Sequence, residues 1–196
     1  MHLISKFEEI LKKGRHEIGV HGWVHENVLE LGSEAEERRL LGQAVDYLTK
    51  ACRGKRPAGY RSPSWAFSPW TMKLVREFGF TYDTSMMGLD EPYELVADGQ
   101  PTGVVELPVS WILDDAPYLG RSGALPSPEL VYKAFRDEFD VAYREGTLLM
   151  LTCHPYVSGH RSPMVELEKL VSYMQSKPGV WFATCSAVAD LVKPRP

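Results

Sequence analysis

The sequence of 196 residues has little of several features that would assign it to a common class of protein. Its three cysteines are odd in number and widely spaced, which excludes a CxxC zinc site and favours reduced thiols. No apolar run approaches the roughly 20 residues of a membrane-spanning helix, and the charged N-terminal segment has no cleavage site. Positive charge is not in excess, because the net charge is -4. These absences predict a cytoplasmic protein that has neither a membrane nor nucleic acid as its partner.

What the sequence contains is an ordinary globular composition with alternating strand and helix patterns. A hydrophobic fraction of 44% over this length is enough to bury the core of one domain, residues 1–196. The stretch between residues 82 and 104, rich in Gly, Pro and Asp, is predicted to be a loop. The alternation indicates an α/β fold with a largely parallel sheet or barrel. Short apolar runs predict strands over residues 17–20, 58–60, 80–82, 104–107, 147–153 and 180–183.

Two of the predicted helices carry clear end signals. Ser33 with Glu36 forms the pattern of a capping box for a helix that extends to about residue 51. A later helix is predicted to begin at Ser127 and to end at Gly146, since glycine is favoured just past the last helical turn.

The pair His21 and His25 is the first candidate for chemistry. It follows the strand predicted at residues 17–20. Two imidazoles four residues apart lie on one side of the backbone, so both can reach one ion. Neutral imidazole suits zinc, and a catalytic zinc takes three protein ligands and one water. The pair therefore predicts a zinc site, with an ordinary polar pair at a strand end as the alternative.

Three further polar residues, Arg61, Asp83 and His154, also follow predicted strands. In folds with parallel strands, the chemistry gathers where the strands end. We therefore expect these residues to surround one pocket together with the two histidines. For Arg61 the alternative is a tie between a loop and a carboxylate, and for His154 it is a histidine whose hydrogen bonds go to the backbone.

Aromatic side chains near these positions are candidates for contact with a substrate. Trp65, Trp111 and Tyr156 are large and apolar, which predicts either stacking on a substrate or packing in the core or at its rim. His160 lies in a polar segment, where it is either a substrate contact or an exposed side chain. The acids Asp114 and Asp115 are interpreted as a turn or a helix cap. Together with Asp83 they are also candidates for the third metal ligand that the two histidines lack.

Six segments occur in the order of the motifs of one enzyme family. They are His21-Gly22-Trp23-Val24-His25-Glu26-Asn27, Arg61-Ser62-Pro63-Ser64-Trp65, Tyr82-Asp83-Thr84-Ser85, Glu106-Leu107-Pro108, Cys153-His154-Pro155-Tyr156 with Gly159-His160-Arg161, and Pro178-Gly179-Val180-Trp181-Phe182-Ala183-Thr184. In these segments the chain resembles the polysaccharide deacetylase family, which has the NodB-homology fold of carbohydrate esterase family four. The nearest branch holds intracellular peptidoglycan-deacetylase-like and allantoinase-like proteins.

The resemblance implies a distorted, incomplete (β/α) barrel of the polysaccharide deacetylase type and the hydrolysis of an amide. By the same resemblance, His21 and His25 would bind a divalent metal that polarises the carbonyl and lowers the pKa of a bound water. His154 would act as the general acid toward the leaving amine. Arg61 would orient the catalytic base, and Asp83 would hold His154 in its working tautomer.

One motif of the family has no counterpart ahead of the histidine pair. The family opens with a T-F-D-D-like segment that supplies the base and a third metal ligand, whereas residues 1–20 hold only Glu8, Glu9 and Glu17 as acids. We therefore expect a single domain that is truncated at its N-terminus relative to the family. A missing first strand would leave an unpaired edge beside residues 17–20, and such edges favour pairing with another chain, so a homo-oligomer is predicted.

Three functions remain open on these patterns. The first is metal-dependent deacetylation of an N-acetylated sugar or related amide, which is hydrolysis of a carbon-nitrogen bond other than a peptide bond. The second is allantoinase-like hydrolysis of a small cyclic amide. The third is a non-catalytic remnant that binds a sugar or amide ligand, which the missing aspartate segment favours. Each of them predicts a small-molecule or carbohydrate partner.

Overall fold

The computed structural model describes residues 3–120 and 126–193, with the side chains described from residue 8 onward. The chain divides into two compact units. The first lies within Met1–Leu107 and Ala183–Pro196, and the second lies within Pro108–Phe182. In the described ranges no helix is both long and apolar enough to span a membrane.

The described residues form six α-helices, and two of their ends, the start of the second helix and the end of the fourth, agree with the signals in the sequence. Ser33 accepts a hydrogen bond at 3.3 Å from the backbone N–H of Glu36, which confirms the predicted start of the second helix. In a capping box the Glu36 side chain would accept a hydrogen bond from the backbone N–H of Ser33. It accepts one from the backbone N–H of Gly32 instead, at 3.2 Å. The fourth helix ends as predicted at Gly146, where φ is 72°. The helices are α1 (Leu3–Lys12), α2 (Glu34–Ala51), α3 (Thr71–Glu77), α4 (Pro128–Glu145), α5 (Arg161–Gln175) and α6 (Cys185–Val192).

The first unit contains a four-stranded sheet. Its strands are β1 (Gly59–Tyr60), β2 (Tyr82–Asp83), β3 (Tyr93–Ala97) and β4 (Gln100–Glu106). They lie in the order β1-β2-β4-β3, with β1, β2 and β4 parallel and β3 antiparallel to β4. The parallel strands β1 and β2 are joined through α3, and this arrangement confirms the predicted α/β class.

One row of paired residues crosses this sheet. Val20, just ahead of the histidine pair, bridges to Tyr60, which pairs with Asp83, which in turn pairs with Glu106. All four side chains are buried. Because these segments are parallel, the residues that follow them leave the sheet at the same edge. The row is therefore what brings the candidate residues of this unit together.

The hairpin of β3 and β4 corrects the loop predicted between residues 82 and 104. Ala97 pairs with Gln100, so the turn consists of Asp98 and Gly99, whose φ values are 52° and 73°. Two positive φ values define a type I′ turn, for which Asp-Gly is a favoured sequence. The dipeptide Asp98-Gly99 was the sign of a hairpin in the sequence. The hairpin was missed because Leu95 is the one buried residue of β3, so this strand has a weak hydrophobic pattern.

The strands predicted over residues 17–20, 147–153 and 180–183 form no ladder in the described structure, so those predictions were wrong. The first segment makes only the bridge from Val20 to Tyr60, and in the other two only Thr152 makes a bridge, in parallel with Asp114. A strand needs a partner whose N–H and C=O groups face its own, and an apolar run cannot show whether such a partner exists. Apolar residues of the last two segments pack against the core of the second unit instead.

Each unit has its own hydrophobic core. In the first unit, α2 and α3 pack against the sheet through Leu41, Ala44, Val45, Leu74, Val75 and Val104. In the second unit, α4 and α5 pack together around Phe135, with Leu113, Val131, Tyr132, Phe139, Leu170 and Met174.

Gly59 allows two neighbouring strands to approach each other closely. An added Cβ at this position would lie 1.9 Å from the ring of Tyr82 on β2. That ring is buried, and its hydroxyl donates to Glu17 at 3.0 Å. Glu17 also accepts a hydrogen bond at 3.0 Å from the backbone of Ser186 in the first turn of α6. The absence of a side chain at residue 59 therefore permits contacts that join β1, β2 and α6.

We expect Gly59→Ala to lower the free energy of unfolding by about 1–3 kcal/mol or more, because the added methyl group overpacks the buried ring of Tyr82. Gly42→Ala is the matched control, since its Cβ would meet Phe78 at an ordinary contact distance of 3.7 Å within α2. That replacement should be neutral or stabilising. Urea unfolding measures both variants, and equal stabilities would contradict the close approach of the strands.

Candidate functional site

The loop that carries the first two candidate residues is held by the carboxylate of Glu26. Its Oε2 accepts hydrogen bonds at 2.9 Å from the backbone N–H groups of both Trp23 and Val24. The turn brings the rings of His21 and His25 into edge-to-face contact, with their centroids 5.0 Å apart. Both histidines are exposed to solvent, where a ligand can reach them.

The tautomer of His21 follows from its hydrogen bond to the next strand. Its Nδ1 lies 2.8 Å from the carbonyl oxygen of Arg61. Because a carbonyl oxygen only accepts, Nδ1 carries the proton and Nε2 carries the lone pair. Histidines that bind metals are commonly oriented by such a bond. His25 has a φ of 59°, in the left-handed region that few residues with a side chain adopt.

Arg61 is fixed at the end of β1 by the segment that follows β2. Its Nε donates to the carbonyl oxygen of Thr84 at 3.0 Å and to the Thr84 hydroxyl at 2.6 Å. The backbone N–H of Ser62 donates to the hydroxyl of Ser85 at 2.8 Å. These bonds join the two loops, and they hold the guanidinium where its charge acts on the carboxyl of Asp83.

Asp83 and Glu106 are fully buried carboxyl groups on neighbouring strands. The Ser85 hydroxyl lies 2.8 Å and 2.6 Å from the two oxygens of Asp83. Glu106 accepts a hydrogen bond at 2.9 Å from the backbone of Met86 through Oε1. Its Oε2 has no hydrogen-bond partner among the described residues. A buried carboxylate with an unpartnered oxygen is unfavourable, so this geometry favours a protonated Glu106.

Burial raises the pKa of both carboxyls. For Asp83 the loss of solvent is the largest cause, and the hydrogen bond from Ser85 and the charge of Arg61 offset part of the rise in pKa. For Glu106 burial is again the largest cause, and the negative charge of Asp83 raises its pKa further. Two neighbouring carboxyls do not both ionise readily in a low-dielectric environment. The pair therefore retains a proton to higher pH than isolated carboxyls do.

This protonation predicts a pH-dependent stability that Glu106→Gln reduces. In the unfolded chain the carboxyls of Asp83 and Glu106 ionise at about pH 4, whereas in the folded protein they keep their protons to higher pH. Their contribution to stability is complete below that pH, and it is lost as the pH rises through the raised folded pKa values. Urea midpoints measured from about pH 4 to pH 8 should therefore fall less steeply for the variant than for the wild type.

Glu94→Gln is the control for this measurement. Glu94 also accepts one backbone hydrogen bond, at 2.8 Å from Gly103, but it is partly exposed. Its variant should keep the wild-type dependence of stability on pH. A wild-type slope for Glu106→Gln as well would show that the pKa of this buried carboxyl is not raised.

In the second unit, Asp115 and His154 form a hydrogen-bonded pair. A parallel bridge between Asp114 and Thr152 brings their two segments together. Asp115 Oδ1 lies 2.6 Å from Nδ1 of His154, and Asp115 Oδ2 accepts from the backbone N–H of His154 at 2.9 Å. Asp115 is fully buried, whereas His154 is partly exposed. The carboxylate thus holds a proton on Nδ1 and leaves Nε2 to exchange protons.

This pairing corrects the partner expected for His154. The resemblance gave that role to Asp83, but the carboxylate on Nδ1 belongs to Asp115. A second carboxylate, that of Asp114, lies 3.6 Å from the same nitrogen and accepts a backbone hydrogen bond from Ala116 at 2.7 Å. In the sequence, the adjacent acids Asp114 and Asp115 were the one sign of a partner for His154, but a turn or a helix cap explained them equally well.

One group of three side chains of the metal-binding types His, Cys, Asp and Glu lies close enough together to hold a metal ion in the described ranges. It consists of Asp114, Asp115 and His154, whose ligand atoms lie within 4.8 Å of one another. The distance of 2.6 Å between Asp115 and Nδ1 is that of a charge-assisted hydrogen bond. A metal at this nitrogen would have to displace the shared proton. The geometry is therefore that of an acid-base pair.

The aromatic candidates and His160 differ in their exposure. Tyr156 is 69% exposed, and its ring centroid lies 5.4 Å from that of His154. Trp111 is 57% exposed in the same unit. Trp65 is half-buried in the first unit, with a φ of 57°. His160 is exposed directly before α5, and its side chain does not cap that helix.

The candidate residues thus form two groups, one in each unit, and their meeting in a single pocket stays a prediction. Glu106 was quoted in a motif but was not recognised as a separate candidate, because the sequence does not show that it pairs with Asp83. The first group is His21, His25, Arg61, Asp83 and Trp65, and the second is His154, Trp111, Tyr156 and His160.

The chain is similar in sequence to known proteins over most of its length. A family model described as polysaccharide deacetylase matches residues 4–82. A peptidoglycan deacetylase of Helicobacter pylori is 33% identical over 222 aligned residues, which cover 96% of this chain and 75% of that protein.

Solved structures share the fold. A crystal structure from Mycobacterium smegmatis, described as a polysaccharide deacetylase, has a TM-score of 0.87 and 33% identity over 98% of this chain and 70% of its own. A PuuE allantoinase has a TM-score of 0.84 and 26% identity over 96% of this chain and 62% of its own. These similarities confirm the predicted fold class, the distorted (β/α) barrel of the polysaccharide deacetylase type.

Proposed function

This chain belongs to the polysaccharide deacetylase family of hydrolases, and from that membership we propose that it removes the N-acetyl group of a sugar. The observation that carries the proposal is the imidazole of His154, whose Nδ1 is bound to Asp115 at 2.6 Å. An imidazole held in this way can take up a proton at Nε2 and deliver it to the amine that leaves when an amide is cleaved.

The residues around His21 fit a divalent metal, and we propose zinc. The Nε2 atom of His21 carries the lone pair, because Nδ1 donates its proton to the backbone carbonyl oxygen of Arg61. The ring of His25 lies in contact with the ring of His21. Imidazole nitrogen is a preferred donor for zinc. When bound, the metal would polarise the amide carbonyl and lower the pKa of a water. Two imidazoles bind zinc less firmly than two imidazoles with a carboxylate, so a third ligand would strengthen this site.

We propose that Arg61 and Asp83 are positioning residues for the reaction. Arg61 accepts the hydrogen bond of His21 through its backbone carbonyl oxygen, and its charge acts on Asp83. Arg61 is held by Thr84, and its positive charge favours the ionised form of Asp83. Asp83 is fully buried, so it does not contact the substrate and is a positioning residue for Arg61. We propose that the guanidinium in turn orients an acidic group of the reaction centre.

Two exposed aromatic residues in the unit of His154 support a sugar as the substrate. Tyr156 lies against the imidazole of His154, Trp111 belongs to the same unit, and exposed aromatic rings can stack on the apolar face of a sugar. Trp65 and His160 are proposed as further contacts with the substrate. Because the relative from Helicobacter pylori is a peptidoglycan deacetylase, an N-acetylated glycan of that kind is the substrate class that we propose.

The metal proposal predicts that His21→Ala loses zinc and deacetylation together while keeping its fold. Elemental analysis after dialysis measures the zinc, and acetate release from an N-acetylated glycan measures the activity. His16→Ala is the control, because His16 is also exposed but precedes the motif, and it should keep both properties. Stoichiometric zinc without hydrolysis of any substrate would instead favour the non-catalytic, ligand-binding alternative.

The acid-base proposal predicts that His154→Ala lowers kcat by about 10²–10⁴-fold, the usual contribution of a positioned general acid. Zinc content should stay at the wild-type level, because this imidazole is bound to Asp115 and is not among the proposed ligands. The measurements are those made for His21→Ala, with the same control. Wild-type turnover by His154→Ala would remove this residue from the mechanism.

Hydrolysis of a small cyclic amide is the second candidate function. The similarity to a PuuE allantoinase favours it, and the pair of Asp115 and His154 could serve that reaction equally well. Hydrolysis of allantoin that persists without metal, and in His21→Ala, would favour this candidate over the deacetylase.

Beyond the substrate we propose one partner, a second copy of the chain. Residues 17–20 make a single bridge, from Val20 to Tyr60, in the described structure. Sheet edges with unpaired backbone groups favour the addition of a strand from another chain.

A further inference from the structure

Two buried hydroxyl groups lie behind the pair of Asp115 and His154. The hydroxyl of Ser158 donates to Asp115 Oδ2, and the Tyr132 hydroxyl lies 2.7 Å from Ser158 Oγ. Ser158 is 2% exposed and Tyr132 is 3% exposed, so neither hydroxyl exchanges freely with solvent. Together the four side chains form a continuous row of hydrogen bonds from α4 to the imidazole.

The direction of every hydrogen bond in this row can be assigned. A carboxylate only accepts, so the single proton of Ser158 points to Asp115. The Tyr132 hydroxyl must then donate to Ser158 Oγ. Burial raises the pKa of Tyr132 to about 12, which keeps this donor protonated at neutral pH. The Asp115 carboxylate accepts from Ser158, from the His154 backbone and from Nδ1, so all donors point toward it.

Rigid elements hold both ends of the row. The Tyr132 ring lies edge-to-face against Phe135, with centroids 5.3 Å apart, in the core formed by α4 and α5. The backbone N–H groups of Val157 and Ser158 both donate to the carbonyl oxygen of His154 at 2.9 Å. The turn after the imidazole therefore returns Ser158 to the carboxylate that holds the imidazole.

We propose that Ser158 and Tyr132 are positioning residues that act in series, fixing the Asp115 carboxylate and through it the Nδ1-protonated form of His154. Without the donor from Ser158, the one hydrogen bond to Asp115 Oδ2 that remains among the described residues comes from the backbone of His154, and the carboxylate can rotate away from Nδ1. Tyr132 acts only through Ser158, because its hydroxyl reaches the carboxylate by no other bond of this row. The catalytic consequence rests on the proposed function, whereas the state of the imidazole does not.

Proton NMR tests the state of the imidazole without any substrate. The proton on Nδ1 should give a downfield, slowly exchanging resonance in the wild type, identified by its loss in His154→Ala. Ser158→Ala should lose this resonance or increase its exchange rate on the order of tenfold, and Tyr132→Phe should have a smaller effect. Tyr143→Phe is the matched control, because it removes a hydrogen bond of 2.9 Å to Pro178 elsewhere in the same unit, and it should match the wild type.

Kinetics on the deacetylation substrate tests the arrangement in series. Ser158→Ala should lower kcat on the order of tenfold with little change in KM, as expected for a lost hydrogen bond to a charged group. The double variant with Tyr132→Phe should be no slower than Ser158→Ala alone, since residues in series are not additive. Effects that multiply in the double variant would overturn the proposal and indicate independent structural roles.

The NMR measurement still tests the proposal if one variant does not fold or if no substrate is hydrolysed. If Ser158→Ala unfolds in a thermal melt, Tyr132→Phe removes only a hydroxyl and keeps the ring in the core, so its resonance still decides the question. An unchanged Nδ1 resonance in both folded variants would overturn the proposal. A wild type that hydrolyses no substrate would count against the proposed function alone, because the NMR result stands without turnover.

Discussion

The row of Val20, Tyr60, Asp83 and Glu106 is the constraint on which the first unit depends. Parallel pairing sets each residue beside its neighbour, and a slip of one position in any strand would turn its side chains to the other face. Two members of the row are acids, so correct pairing also places two carboxyls side by side in the buried layer. The hydroxyl of Ser85, a backbone N–H and the charge of Arg61 offset only part of that loss of solvent.

In both units an isolated parallel bridge lies directly ahead of a candidate side chain. In the first, His21 comes one residue after Val20, which bridges to the next strand. In the second, Asp115 comes one residue after Asp114, which bridges in the same parallel manner. A backbone pair fixes the start of the neighbouring residue, whose side chain then turns to a partner outside the bridge, the carbonyl oxygen of Arg61 for His21 and the imidazole of His154 for Asp115. In each unit, main-chain pairing thus places the residue before its side chain makes any contact of its own.

The sequence predicted those parts of the structure that depend on local chemistry. Helix α2 and the end of α4 followed from Ser33 and Gly146, because capping involves residues close together in the chain. The fold class followed from the alternation of patterns and from the order of the motifs. The strand predicted at residues 147–153 failed because pairing needs a neighbour from elsewhere in the chain, and an apolar run contains no information about that neighbour.

The candidate site was predictable in its members but not in its pairings. His21 and His154 were identified from their place after predicted strands and from the family's motifs, and the structure gives both a defined tautomer. Asp115 was missed as the partner of His154 because 39 positions separate them, and only the bridge between their segments brings them together. Glu106 was missed for the same reason, since its importance arises from the residue opposite it on β2.

The left-handed backbone of His25 restricts how this position can change over evolutionary time. With φ at 59°, the backbone tolerates glycine, asparagine or aspartate more readily than it tolerates β-branched residues. Aspartate is reached from a histidine codon by one nucleotide change, and it would replace the imidazole nitrogen by a carboxylate oxygen. Replacements at residue 25 that avoid strain in the loop are thus limited to a few residue types, and an aspartate among them would set a carboxylate, instead of a ring, beside the imidazole of His21.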